Sequence, residues 1–70
     1  MAEVKQNLID RRKALGVTQS AVAVKVGISR SSYSAIERGL RDPSLDTAQR
    51  ICLALDDMPI NEAFPIKEKP

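Results

Sequence analysis

The stretch from Thr18 to Arg41, TQSAVAVKVGISRSSYSAIERGLR, decides the fold that this sequence predicts. Thr18 is a favourable helix N-cap, and Gly27 can adopt the left-handed conformation that ends a helix. Ser29 caps a second helix, which Gly39 closes. The stretch therefore predicts two short helices joined by a tight turn. The second helix carries small polar residues and an arginine where a buried helix would carry apolar side chains.

A further helix is predicted before this stretch. Val4, Leu8 and Leu15 recur at helical spacing. Gly16 provides a C-terminal stop, so we expect a helix over about residues 3–14. Inside the quoted stretch, the inward apolar positions also follow helical spacing: Val22, Ala23, Val26, Tyr33 and Ile36.

Two more helices are predicted after the stretch. Ser44 caps a helix that runs to about residue 55. Asp57 and Pro59 suit the start of a short fifth helix from Ile60 to Phe64. The apolar stripe expected on the longer of these helices consists of Leu45, Ala48, Ile51, Cys52 and Leu55.

The composition favours an all-α fold. Seventy residues make one small domain, and tyrosine and phenylalanine occur once each, so the core must be built from Leu, Ile, Val and Ala. Such side chains suit short, closely packed helices and disfavour a β-sandwich. We therefore expect a compact bundle of four or five helices over residues 1–66, followed by a C-terminal tail over residues 67–70.

Cysteine and histidine usage disfavours several classes of protein. Cys52 is the lone cysteine and lies among apolar residues at helical spacing, so no internal disulfide is expected. The chain has no histidine, so a common zinc site is not expected either. No apolar run approaches the roughly 20 residues that cross a bilayer, and the N-terminus lacks the apolar core of a signal peptide. We expect a cytoplasmic protein with no cofactor, metal, membrane or evident small-molecule ligand.

Charge is distributed unevenly along the chain. Eleven basic and nine acidic residues give a formal net charge of only +2. Most basic residues nevertheless lie in the first two-thirds, whereas Asp56, Asp57 and Glu62 cluster near the end. One end of the domain is therefore expected to be basic, which favours a polyanionic partner.

The polar helix that begins at Ser29 has the dimensions of a DNA-reading element. If the helix extends to Glu37, it is roughly 13 Å long at about 1.5 Å per residue. A helix of this size fits into the major groove of DNA, which is about 12 Å wide. The face opposite its apolar positions projects short or hydrogen-bonding side chains, namely Arg30, Ser31, Ser34 and Ala35.

Four motifs together resemble the Cro and phage-repressor type of helix-turn-helix protein, the XRE family. They are RRKALGVTQ, VAVKVGIS, IERG and DPSLDTAQRICLAL, which follow the family's order and spacing over about residues 8–55. The resemblance implies a lambda-repressor-like DNA-binding domain with its helix-turn-helix at about residues 18–37. It also implies a transcription regulator that binds double-stranded DNA sequence-specifically, rather than an enzyme. A repressor is favoured over an activator, since blocking a promoter needs only occupancy.

The resemblance implies that the helix from Ser29 to about Glu37 is the recognition helix, and it implies which residues of that helix read bases. The family's base-reading positions fall on Arg30, Ser31 and Ala35, with Ser29 and Ser34 at their edges. Arginine can bind guanine O6 and N7 through two hydrogen bonds, so Arg30 is the expected main specificity residue. Ala35 offers only a methyl group, which could contact a thymine methyl, so DNA shape is expected to contribute to recognition.

The resemblance also implies the phosphate contacts. In family members, the residue at the position of Gln19 binds a backbone phosphate and often supports the recognition helix. Independently of the family, the N-terminus of a helix attracts phosphate. Tyr33 is expected to pack in the core with its hydroxyl at the rim, where it could touch a phosphate. The remaining phosphate-contacting residues expected are Thr18, Arg38, Arg41 and Ser44.

Arg12 and Glu37 match family positions that form a partly buried salt bridge between the first helix and the recognition helix. A glutamate at a helix C-terminus interacts unfavourably with the helix dipole unless a nearby cation compensates its charge. This requirement agrees with the pairing. Both residues are therefore expected to be structural.

A dimer is expected, because one short helix offers too few base contacts for specific binding and such regulators place two helices about 34 Å apart on a pseudo-palindrome. The candidate interface is an apolar surplus near the end of the chain. Its members are Leu53, Met58, Ile60, Phe64 and Ile66. Alternatively, Phe64 folds back and completes the core. An alternative function is that of an antitoxin or adaptor that binds a protein partner through this apolar end.

Overall fold

Residues 4–65 are described by the structure, a computed structural model of the chain. They form five helices, and none of them lies in a strand. The helices are α1 (Gln6–Ala14), α2 (Gln19–Val26), α3 (Arg30–Glu37), α4 (Leu45–Ala54) and α5 (Ile60–Ala63). The predicted all-α fold is confirmed, although α1 begins three residues later than the sequence suggested.

Hydroxyl caps begin three of the helices. The Oγ1 atom of Thr18 accepts a hydrogen bond from the Ala21 backbone N–H at 3.1 Å, before α2. Ser29 and Ser44 cap α3 and α4 in the same way, at 3.0 and 3.2 Å. Each bond satisfies an N–H that has no partner inside its helix, which stabilises a helix by about 1 kcal/mol. Gly27 ends α2 with φ of 88°, the left-handed conformation expected at this turn.

One apolar core joins all five helices. Leu8 of α1, Ile51 of α4 and Ala63 of α5 have no exposed surface. The core cluster comprises Leu8, Val22, Ala23, Val26, Tyr33, Ile36, Ile51, Cys52, Leu55, Met58 and Ala63. Val17, Ile28, Ala54 and Phe64 pack against it while remaining partly exposed. Packing of α2 against both α3 and α4 places the helix-turn-helix directly on this core.

Some apolar positions that the spacing predicted to face inward are exposed. Leu45 is 68% exposed, and Leu15 and Val4 are 40% and 54% exposed. The inward stripe of α4 therefore begins at Ala48, one turn later than the helical spacing indicated. Spacing identifies the face of a helix, but it does not determine where along that face the neighbouring helices reach.

The turn between α4 and α5 depends on a side chain from α1. Asp56 and Asp57 both have positive φ, at 63° and 56°, which is uncommon for residues other than glycine. The Arg11 guanidinium donates to the backbone carbonyls of Leu55 and Asp56 at 3.0 and 3.2 Å. A cation that hydrogen-bonds the carbonyls left free at a helix C-terminus stabilises that end. Arg11 therefore joins α1 to the α4–α5 turn.

Candidate nucleic-acid interface

The α2–α3 turn determines which side of α3 faces solvent. Tyr33, Ile36 and Glu37 are buried, so the opposite face of the helix is available to a partner. This face holds the five residues expected to read bases: Ser29, Arg30 and Ser31 are exposed, and Ser34 and Ala35 are half-buried. The structure thus brings the predicted base-reading residues together along one side of α3.

Arg12 and Glu37 form an ion pair beneath this face. Arg12 Nε lies 2.7 Å from Glu37 Oε2, and Arg12 Nη2 lies 3.3 Å from Oε1. The guanidinium also donates to the Val17 backbone carbonyl at 3.1 Å. Only 2% of the Glu37 side chain and 13% of the Arg12 side chain are exposed. The two-point geometry joins α1 rigidly to the end of α3.

Glu37 remains ionised in spite of its burial. Burial by itself disfavours the charged carboxylate, but the hydrogen bonds from Arg12 and Gln19 favour it and hold the pKa of Glu37 below its ordinary value. The bond to Glu37 in turn raises the pKa of Arg12. The pair is therefore a fixed charge centre.

Gln19 connects this pair to the exposed face of α3. Its amide nitrogen donates to Glu37 Oε1 at 2.9 Å, and its amide oxygen accepts from Arg30 Nη1 at 3.2 Å. The support of the recognition helix that the resemblance implied for Gln19 therefore consists of two hydrogen bonds in this chain. Sequence spacing did not indicate that Glu37 takes part, because Glu37 and Gln19 lie 18 positions apart.

Tyr33 does not fit its predicted phosphate contact. The side chain has no exposed surface, so its hydroxyl does not reach the rim, and only the expected core role remains. The hydroxyl is buried without a hydrogen-bond partner among the described residues. Burial, together with the adjacent Glu37 carboxylate, raises the pKa of Tyr33. The error arose because helical spacing determines the inward face but not the depth of a side chain.

A second polar contact orders the loop after α3. Arg41 Nη1 donates to Ser32 Oγ at 3.1 Å, and the Ser29 and Ser32 hydroxyl oxygens lie 3.0 Å apart. Ser32 was not among the predicted site residues, although its place three residues after the Ser29 cap is the signal that could have identified it. Arg38 is exposed at the C-cap of α3.

An open cleft lies where α1, α2 and α3 meet. Its volume is about 470 Å³, and its walls include Arg12, Thr18, Gln19 and Arg30. The cleft lies at the N-terminus of α2, where free backbone N–H groups and the positive end of the helix dipole favour an anion. It therefore has the charge and the position that suit a phosphate group.

The residues predicted for the dimer interface are divided by the fold. Leu53 and Ile60 are 66% and 39% exposed, so they remain available to a partner. Met58 is 5% exposed and belongs to the core, so its predicted interface role is wrong. Phe64 is half-buried against the core, which agrees with the alternative that it folds back. Ile66 lies outside the described residues.

Neither a metal site nor a membrane span is found in the part of the chain that the structure describes. Within residues 4–65, no three His, Cys, Asp or Glu side chains are grouped so that they could hold a metal ion. No helix over the same residues is long and apolar enough to cross a membrane.

The five helices, together with the capped turn beneath the exposed face of α3, define a helix-turn-helix domain. The helix-turn-helix family model matches residues 8–62, which is most of the chain. The chain therefore belongs to this family of DNA-binding transcription regulators, which is not a family of enzymes.

Two relatives and one solved structure agree with this assignment. An uncharacterised HTH-type transcriptional regulator of Methanothermobacter thermautotrophicus is 41% identical over 59 residues, which cover 84% of this chain and 86% of that protein. The cryptic phage CTXphi transcriptional repressor RstR of Vibrio cholerae is 35% identical over 54 residues, 77% of this chain and 48% of RstR. The restriction-modification controller protein C.AhdI from Aeromonas hydrophila superposes with a TM-score of 0.77 at 35% identity, covering 86% of this chain and 89% of that one.

Proposed function

We propose that this protein is a repressor that binds a pseudo-palindromic operator in double-stranded DNA as a homodimer. The observation that carries the proposal is the exposed face of α3, on which Arg30 is held by Gln19 above the buried Arg12–Glu37 pair. A solvated helix has no need of such an anchor. An element that must present an arginine in one position to a base edge gains from it.

Base reading is assigned to the exposed face of α3. Arg30 is proposed to bind a guanine, since the contact to Gln19 uses one of its five N–H donors and leaves the others free. Ser31 is exposed beside it, and the Ala35 methyl group suits a thymine methyl. Ser29 and Ser34 are proposed at the edges of the contact.

Phosphate binding is assigned to the residues around α3. The Gln19 amide has two N–H donors, of which one is directed to Glu37, so the other can reach a phosphate. Thr18 and Ser44 each cap a helix whose N-terminus favours an anion. Arg38 and Arg41 are exposed at the end of α3 and in the loop that follows. Tyr33 has no part in this assignment, because it is buried.

The homodimer is proposed from the geometry of operator binding. A single short helix contacts few base pairs, and two copies about 34 Å apart read two half-sites. Leu53 and Ile60 are exposed apolar residues on α4 and in α5, and they are the described residues assigned to the interface. The DNA-binding domain is proposed to extend over residues 1–66, with a tail over 67–70. The single, buried Cys52 is compatible with a cytoplasmic location.

Repression is proposed because occupancy of a promoter is enough to block it. One of the two relatives is itself named a transcriptional repressor, although this chain spans only 48% of its length.

The experiment that tests this function selects bound duplexes from genomic fragments and then measures their affinity as a function of salt. We expect a small set of related pseudo-palindromes, and an affinity that falls steeply as salt rises, because each neutralised phosphate releases counterions. Equal affinity for all duplexes, or an affinity insensitive to salt, would contradict the proposal.

The second candidate is an antitoxin or adaptor that holds a protein partner. The observation that favours it is the exposure of Leu53 and Ile60, since such residues suit a partner of another kind as well as a second copy. Sedimentation of the purified protein separates the two functions. A stable monomer that binds no duplex in the selection would favour the adaptor.

A further inference from the structure

We propose that Glu37, which lies inside the fold, is a specificity-determining positioning residue that acts on DNA through Gln19 and Arg30. The inference rests on the proposed function, in which Arg30 reads a base. It assigns to Glu37 a role beyond the structural pairing with Arg12: the carboxylate sets the direction of the Gln19 amide, and thereby decides which atom of the amide faces Arg30.

The buried carboxylate of Glu37 restricts which group of Gln19 can face it. An ionised carboxylate only accepts hydrogen bonds, so the group of Gln19 that faces it must be the NH2 group. The Gln19 amide nitrogen indeed lies 2.9 Å from Glu37 Oε1. A reversed amide would place its oxygen against a carboxylate oxygen, with no proton between them. The charge of Glu37 therefore permits one orientation of the amide.

The other end of the Gln19 amide faces Arg30. With its nitrogen directed to Glu37, the Gln19 amide turns its oxygen toward Arg30, and that oxygen accepts from Arg30 Nη1 at 3.2 Å. Arginine carries donors and no acceptor, so it is matched to this oxygen and would be opposed by the NH2 group. The ionised Glu37 thus favours a donor at position 30.

The two ends of this series of contacts differ in how firmly they are held. Glu37 is 1% exposed and is fixed by two hydrogen bonds from Arg12, whereas Arg30 is exposed. The buried end is therefore the anchor and the exposed end is the part that is positioned. Holding the Arg30 side chain before DNA arrives reduces the freedom that it loses on binding, which improves recognition of the correct base.

The test is the Glu37→Gln variant, measured as the ratio of affinities for the selected operator and for the operator changed at the base pair that Arg30 reads. A neutral glutamine can accept or donate, so the Gln19 amide is free to reverse. We expect the ratio to fall about two- to tenfold, the range that corresponds to one side chain losing its pre-organisation. Affinity alone is not the measure, because removing a negative charge strengthens binding to every duplex. Asp10→Asn is the matched control, since it removes an exposed carboxylate from α1 and should leave the ratio unchanged.

A double-mutant cycle identifies the route of the effect. If Glu37 acts through Arg30, Glu37→Gln should leave the ratio unchanged in an Arg30→Ala background. A folded Glu37→Gln protein with the wild-type ratio would overturn the inference, and so would an equal loss in both backgrounds. If Glu37→Gln fails to fold, Gln19→Leu removes the connecting amide and spares the Arg12–Glu37 pair. It should lower the same ratio, and an unchanged ratio would likewise overturn the inference.

These outcomes are distinct from failure of the proposed function. If the wild-type protein selects no operator, the proposed function fails and the inference fails with it. Suppose instead that the wild-type protein discriminates and that Arg30→Ala lowers the ratio. If the Glu37 and Gln19 variants then keep the wild-type ratio, the inference fails and the proposed function stands.

Discussion

Two regions of this small domain are stabilised in contrasting ways. In the recognition-helix junction, defined as Arg12, Gln19, Arg30 and Glu37, a buried charge is balanced by directed hydrogen bonds. In the α4–α5 end, defined as Leu53, Met58, Ile60 and Phe64, apolar side chains are divided between the core and the surface. The only ion pair on α4 among residues 4–65 joins Asp46 and Arg50, and both side chains are largely exposed.

The contrast shows what each kind of interaction can specify. Hydrogen bonds depend on direction, so the junction determines the position of a particular side chain, Arg30. Apolar contacts depend mainly on area, so the α4–α5 end tolerates several ways of covering Leu53 and Ile60. The first region is the one proposed to recognise a base, and the second is the one proposed for association.

The largest effect is expected for Arg12→Ala. The substitution leaves the buried Glu37 carboxylate without its cation, and breaking a buried pair in this way costs about 3–5 kcal/mol. Thermal unfolding followed by circular dichroism measures the loss. Arg50→Ala is the matched control, because its exposed pair with Asp46 contributes only about 0.3–0.5 kcal/mol. Equal melting temperatures for the two variants would remove the distinction between buried and exposed pairs.

The second effect tests the α4–α5 end as a dimer interface. Leu53→Asp places a charge on an exposed apolar position, so the fold should persist while the proposed dimer weakens. Burial of a leucine contributes about 1.5–3 kcal/mol, and we expect the dimerisation free energy to fall by that amount for each protomer, since both carry the substitution. Sedimentation equilibrium measures it. Val24→Asp is the control, because Val24 is also exposed but lies on α2. An unchanged dimer in Leu53→Asp would move the interface elsewhere.

The third effect separates base reading from phosphate binding. Arg30→Ala should relax the preference at one base pair by about 1–3 kcal/mol. Arg41→Ala should weaken binding to all duplexes equally and lower the salt slope by about one unit. Affinities for an operator and its single-base variants at several salt concentrations provide both values. Identical behaviour of the two variants would contradict the assignment of Arg30.

The smallest effect is a difference between two pH profiles of stability. The pKa of Glu37 is lowered by folding, because the hydrogen bonds from Arg12 and Gln19 outweigh the opposing effect of burial. The stability that the ionised group contributes is fully present above the ordinary pKa of about 4.5 and is lost as pH falls through the lower folded value. Over this range Arg12 stays charged and Tyr33 stays neutral, because the pKa of each is raised.

Melting temperatures between pH 5 and pH 2 check this difference. Wild type should lose stability more steeply than Glu37→Gln below about pH 4.5, since the other carboxylates are common to both. Parallel profiles would mean that the carboxylate contributes nothing through its charge.

Local sequence signals were sufficient for the helix-turn-helix and for part of its site. Thr18, Ser29 and Ser44 act as caps through contacts with residues three positions away, and Gly27 ends α2 through its own backbone. Such effects are decided within one turn of chain, so they can be predicted without the rest of the molecule. The pairing of Arg12 with Glu37 was implied by family resemblance, and charge at a helix end supported it.

The sequence by itself thus determined where the helices lie and which face of α3 is polar. Only the tertiary structure decided that Met58 is buried while Leu53 is exposed, that the Tyr33 hydroxyl does not reach the surface, and that Arg11 supports the α4–α5 turn. It also decided the direction of the Gln19 amide, because that depends on a carboxylate 18 residues away. The physical reason is range: caps and periodicity act within a turn of helix, whereas burial and hydrogen-bond direction depend on which segments the fold brings together.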